Sequence, residues 1–221
     1  MTYGAESVPE WFLWTACTVF LLFIIITHWL TRDKKDSTAT GDGVIGSKGS
    51  YTENPIIVMT KRVEIIDLKA NYVGYIKREF DNFFQMLLSF VLPNYFVDFY
   101  SENTNGDLKI SIHKLREKKD LLQSRWAVKV FSKDDGEETF MINSDRKMMS
   151  NNILSFPYKN EIINVTKDGN SSIYFHQSGT QISHISSYGK LPPRHVFIDN
   201  QDDALPILLL ACIYEIIKCY K

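Results

Sequence analysis

The segment from Ala204 to Tyr214, ALPILLLACIY, decides what this chain can fold into. Leu, Ile, Ala, Cys and Tyr leave no polar stripe on any side of a helix. Such a helix belongs inside a protein or a membrane. Its uncharged run is 11 residues, after which Glu215 and Lys218 interrupt it; a membrane crossing needs about 20. The segment is therefore expected as a helix over about 203–220, hidden within the protein. Asp202 or Asp203 can cap it, and Pro206 is tolerated in a first turn. A second membrane span is the alternative.

The body of the chain supplies what would hide it. From about residue 56, short runs alternate apolar and polar residues between polar turns. RVEIID and YVGYIKREF flank Leu68–Asn71, YFVDFY and DLKISIHKL flank a turn at 101–106, and WAVKVF and ETFMIN flank SKDDG. EIINV and SSIYFHQ flank TKDGN, and TQISHIS and RHVFID flank SYGKLPP. β-branched and aromatic residues at period two, punctuated by Asp-Gly and Asn-Gly, predict antiparallel hairpins. Turns near 69, 104, 135 and 169 recur loosely. The stretch 79–93, EFDNFFQMLLSFVLP, reads as a short helix or a continuous buried strand. Strands in series suggest a sandwich or barrel, and the apolar terminal helix favours strands closed around it.

The N-terminal part is of another kind. Trp11–Leu30 runs 20 residues without a formal charge, about 30 Å as a helix and enough to cross a bilayer core. Trp11, Trp14 and Trp29 sit near its ends, where indoles favour the interface. No Lys or Arg precedes it, whereas Arg32, Lys34 and Lys35 follow. The positive-inside rule then puts the bulk of the chain in the cytoplasm, on a single-pass cell-membrane anchor. The expected organisation is an extracytoplasmic 1–10, a transmembrane helix at 11–31, a flexible linker at 32–55 and a β domain at 56–221. Within the linker, Gly41–Gly46 spells G-x-G-x-x-G. It follows a membrane exit and not a strand, so no dinucleotide site is expected.

Hairpins such as VEIIDLKANYVGYIKREF, followed by an Asp-led hydrophobic helix at the C-terminus, resemble the tubby C-terminal-like superfamily. That group includes tubby proteins, phospholipid scramblases, LURP-one-related proteins and small bacterial members, and the chain is expected to be a bacterial one. The resemblance implies a mainly β fold, a closed antiparallel barrel around a central hydrophobic C-terminal helix. It also implies a link to lipids, since tubby proteins bind phosphoinositides through basic side chains. Those positions have no identifiable match here, and the cysteine-rich lipidation segment of scramblases has no counterpart.

Little else points to chemistry. No H-E-x-x-H spacing or G-x-S-x-G elbow occurs, so no catalytic residue, metal or cofactor is expected. The charge, -1 overall, gives no reason to expect nucleic acid. Cys17, Cys212 and Cys219 lie in apolar segments and form neither a disulfide framework nor a zinc site. The strongest candidate is the basic stretch Lys109–Lys129, with seven Lys or Arg against Glu117 and Asp120. Lys109, Lys114, Arg116, Lys118, Lys119 and Arg125 are its expected lipid-binding residues, with Trp126 among them. The expected partners are the bilayer and anionic headgroups; a membrane protein bound to a regulatory scaffold is the alternative.

Overall fold

The computed structural model describes residues 9–30, 47–53, 62–92, 95–116, 124–144, 152–168, 172–189 and 194–219. The chain divides into two compact units, Met1–Ser37 and Thr38–Lys221.

Among its described residues the first unit holds one helix, α1 (Glu10–Leu30), of 21 residues. Thr15 and Thr18 donate their hydroxyls to the carbonyls of Trp11 and Trp14, at 2.7 and 2.8 Å, so these polar groups are satisfied within the helix. The side chains of residues 23–30, and the segment holding Gly41–Gly46, lie outside the described residues. Among the described residues no helix is long and apolar enough to cross a membrane.

The second unit is a closed antiparallel barrel of twelve strands. They are β1 (Ser47–Thr52), β2 (Val63–Asp67), β3 (Tyr72–Glu79), β4 (Asp98–Asn103), β5 (Leu108–Lys114), β6 (Arg125–Ser132), β7 (Gly136–Ser144), β8 (Asn152–Tyr158), β9 (Glu161–Asp168), β10 (Ser172–Gln177), β11 (Thr180–Tyr188) and β12 (His195–Asn200). Each pairs with its neighbours in sequence, and β1 closes the ring between β12 and β2. All five expected strand pairs are present. The ambiguous stretch at 79–93 contains a helix, α2 (Phe83–Val91).

Two strands escape the sequence pattern. The barrel begins at Ser47 and not at 56, because β1 (SKGSYT) has the composition of a linker. Its glycine has a packing reason: a Cβ on Gly49 would stand 2.8 Å from Cγ2 of Ile207. In β8, Leu154, Phe156 and Tyr158 point inward and Pro157 points out.

Twelve strands enclose more space than strand side chains alone can fill. The final helix, α3 (Ile207–Cys219), is buried on every face, and residues 208–213 are at most 1% exposed. It shares one continuous core with inward residues such as Ile65, Ile110, Val128, Phe156, Val165 and Ile198. Along β5 and β6 the exposed positions include lysines, Lys109 beside buried Ile110 and Lys129 beside buried Val130. The helix starts four residues later than expected. A 3-10 turn, Gln201–Asp203, precedes it, with Asp203 at φ 52°. Buried Asn200 fixes this entry: Ser183 donates to its Oδ1 at 2.7 Å, and its Nδ2 donates to the Leu205 carbonyl at 2.6 Å.

The barrel has two unlike ends. One carries tight hairpin turns at 68–71, 104–107, 133–135, 159–160 and 178–179. The other carries the longer connections, α2 among them. The turn expected near 169 falls at this second end, since Asp168 pairs with Ser172 there.

Candidate functional site

The connection end gathers the unusual surface features. Helix α2 is started by Asn82, whose Oδ1 accepts from the Gln85 amide at 2.8 Å. The Gln85 side chain reaches back, accepting from the Asp81 amide and donating to its carboxylate at 3.0 and 2.8 Å. With orphan donors satisfied in this way, nine residues stay helical although several apolar side chains face outward. Phe83 is 64% exposed, Phe84 75%, and Leu88 and Leu92 49% each. Ser89 is fully buried and donates its hydroxyl to the Met86 carbonyl at 2.6 Å. At about 100° per residue, the exposed positions cover roughly half the circumference of the helix. No charged residue occurs between Asp81 and Asp98.

Two arginines hold the chain where it leaves α2. Arg78, buried at the end of β3, donates from Nε to the Phe96 carbonyl at 2.8 Å. Arg116 donates from Nε to the Tyr95 carbonyl at 3.4 Å, ion-pairs with Asp98, and stacks over the Phe96 ring at 5.1 Å. Asp98 also accepts from the Lys114 amide at 2.7 Å. The exit of the helix is thus tied to β3, β4 and the segment after β5.

The six expected lipid-binding residues divide. Lys114, Arg116 and Arg125 come together at the connection end, where the Leu115 amide donates to the Arg125 carbonyl at 2.9 Å. Arg116 is engaged internally, as above. Lys109 stands apart near the hairpin end, paired with Glu102 at 3.4 Å. Hydroxyls of Tyr75 and Tyr100 also donate to that carboxylate, at 2.9 and 3.3 Å. The Tyr75 bond first, then Lys109, holds Glu102 below the usual carboxylate range. Lys118 and Lys119 lie outside the described residues. Trp126 is turned into the core at 1% exposure, because inward and outward positions alternate along β6.

Charge differs between the ends. The hairpin turns and the lead-in to α3 hold Asp107, Asp134, Asp135, Asp202 and Asp203 against Lys69, Lys133 and Lys159. Of these cations, Lys133 pairs with Asp107 at 3.5 Å and Lys159 with Asp135 at 3.2 Å. The connections at the other end hold Arg62, Arg116 and Arg194 against Glu53 and Asp81. The sequences joining those strand ends, outside the described residues, add Lys61, Lys118, Lys119, Arg146, Lys147 and Lys190 against Glu117, Asp120 and Asp145.

Beneath this end lies a buried ionic cluster that fastens α3. The Lys218 ammonium is 3.2 Å from Glu53 and 3.4 Å from Glu215. Tyr214 donates to Glu53 at 2.8 Å, and Tyr51 to Glu215 at 3.0 Å. Burial first, and the Glu53 charge with it, push the Glu215 carboxyl above its ordinary range; Lys218 opposes both. Burial likewise pushes up the Tyr214 hydroxyl and the Cys212 thiol, which suits Cys212 as an inert core residue. No sequence signal marked Glu53, which lay in the expected linker. Among the described residues no three His, Cys, Asp or Glu side chains gather as a metal site.

The family model for the Tubby C-terminal like domain matches residues 50–220. No curated protein and no solved structure matches the chain significantly.

Proposed function

As the chain belongs to the Tubby C-terminal like domain family, we propose that it is a non-catalytic, membrane-anchored module whose barrel meets the anionic surface of the membrane. The observation that carries this reading is the polarity of the barrel. The turns at one end are acidic, and the sequences that join the strands at the other carry more Lys and Arg than Asp and Glu. Each Lys or Arg held near an anionic leaflet contributes on the order of 1 kcal/mol. Lys114, Lys118, Lys119 and Arg125 are the proposed headgroup ligands. Lys109, near the far end, is not among them.

Helix α1 serves in this reading as the anchor. Its described side chains Trp11, Phe12, Trp14, Val19 and Phe20 are exposed and apolar, and its threonine hydroxyls are satisfied by its own backbone. Arg32, Lys34 and Lys35 favour a cytoplasmic barrel at the cell membrane. The tether can reach. Ser47 pairs with Asn200 at the hairpin end of the barrel, about 30 Å from the connection end for a nine-residue strand. The 16 residues between α1 and β1 extend to about 53 Å, so the anchor does not prevent the connection end from facing the lipid. Tethering raises the local headgroup concentration, so weak contacts suffice.

Flotation of the Thr38–Lys221 unit with vesicles of neutral or partly anionic lipid tests the reading. It should bind anionic vesicles only, lose binding as salt rises, and lose it in the Lys118→Glu/Lys119→Glu variant. Equal binding by wild type and variant, or none with any vesicle while a membrane protein co-purifies, would turn the reading to a protein-interaction scaffold.

A further inference from the structure

We infer that helix α2 inserts its exposed face, Phe83, Phe84, Leu88 and Leu92, into the boundary between headgroups and acyl chains. This rests on the membrane-surface reading and adds to it a hydrophobic contact made by an identified element.

The helix is built against water. Phe83, Phe84 and Leu88 are exposed while its serine is buried; packing onto the barrel asks for the opposite arrangement. Its structure does not depend on an occupant, because Asn82 and Gln85 cap its start. Arg78 and Arg116 fix the chain at its exit. A rigid apolar ridge is thus presented at a defined place. Interfacial helices combine such a face with surrounding cations. Here the ridge carries no charge between Asp81 and Asp98, while cations stand at strand ends of the same barrel end, Lys114 closing β5 and Arg125 opening β6. Tyr95, 45% exposed just beyond the helix, has the ring and hydroxyl that suit the headgroup level. An apolar face with cations at nearby strand ends complements an anionic bilayer in both charge and hydrophobicity. It also lies on a chain whose α1 is itself an exposed apolar helix.

The test uses the full chain in vesicles of zwitterionic and anionic lipid, with the photo-crosslinker p-benzoylphenylalanine placed singly at three positions. Phe84 reports the ridge. Phe131, 45% exposed on β6 near the hairpin end, is the control for an exposed aromatic. Lys118 reports headgroup contact. After irradiation, mass spectrometry of the peptides identifies what was captured. Insertion predicts acyl-chain adducts at position 84 at least tenfold more abundant than at 131, and headgroup or glycerol adducts at 118. Lipid adducts at 118 with none above the 131 level at 84 would overturn insertion and leave the membrane-surface reading standing. No lipid adducts at either position would overturn both. Adducts at 84 to a second copy of the chain would make α2 a self-association face and overturn insertion.

Discussion

Replacing Lys218 by Met removes a charge and keeps most of an apolar stem, so its effect isolates the electrostatics of the cluster at the end of α3. Wild type holds one ammonium between two carboxylates, Glu53 and Glu215, with Tyr214 and Tyr51 donating to them. Without Lys218, the folded state must take up one more proton or keep an unpaired buried anion. Protonating a carboxyl with an ordinary value of 4.5 costs about 1.36 kcal/mol per pH unit. Over the 2.5 units to pH 7 that is about 3.4 kcal/mol, close to the lower bound for breaking a buried ion pair. At pH 5 the same cost is about 0.7 kcal/mol. The sign follows from linkage: the folded carboxyl pKa lies above its unfolded value, so the folded state binds more protons. Stability is full below about pH 4.5 and is lost as pH rises through the folded pKa. Wild type carries part of this slope through Glu215, whose carboxyl is already raised; the variant should be steeper. Urea unfolding of the Thr38–Lys221 unit measures it, because Trp126, its one tryptophan, is buried and reports the core. A loss of about 3 kcal/mol at pH 7 that shrinks several-fold at pH 5 is expected. A loss equal at both pH values, or under about 0.5 kcal/mol at pH 7, would refute the buried cluster.

Four further changes probe other levels of the fold. Gly74→Ala places a Cβ 2.4 Å from the backbone oxygen of Glu102, which cannot yield as a side chain can; urea unfolding should show a loss of at least about 2 kcal/mol. Leu210→Ala, at a fully buried position of α3, should lose about 2–5 kcal/mol. Phe84→Ser, on the exposed ridge, should stay within about 0.5 kcal/mol by the same measurement. Arg116→Gln removes the ion pair to buried Asp98 and should lose about 2 kcal/mol, with faster amide exchange at Tyr95 and Phe96.

What the sequence disclosed depended on how strongly each element was patterned. Ala204–Tyr214 announced a buried helix because no face of it was polar. Five hairpins announced themselves because period-two alternation met recognisable turns. The first barrel strand was hidden by its own chemistry: Ser47, Lys48, Gly49 and Ser50 read as tether, since only the approach of Ile207 explains the glycine. Glu53 was lost with it, although it is half of the ionic fastening of α3. The basic stretch was legible as composition and not as geometry. Pleating turned Trp126 into the core, strand direction carried Lys109 to the opposite end, and Asp98, distant in sequence, engaged Arg116. The outward face of α2 could not be read, because an apolar helix in sequence does not say which side the barrel leaves uncovered.

The most direct test of the proposed function is the orientation of the barrel on the membrane. Spin labels at Tyr188, exposed at the connection end, and at Lys133, at the hairpin end, would be placed singly in the full chain. Paramagnetic headgroups in anionic proteoliposomes would then report the distance of each label from the bilayer. The connection end facing the lipid predicts strong relaxation at 188 and weak relaxation at 133, with the difference fading as salt rises. Equal relaxation at both positions, or the stronger effect at 133, would contradict membrane docking through the connection end.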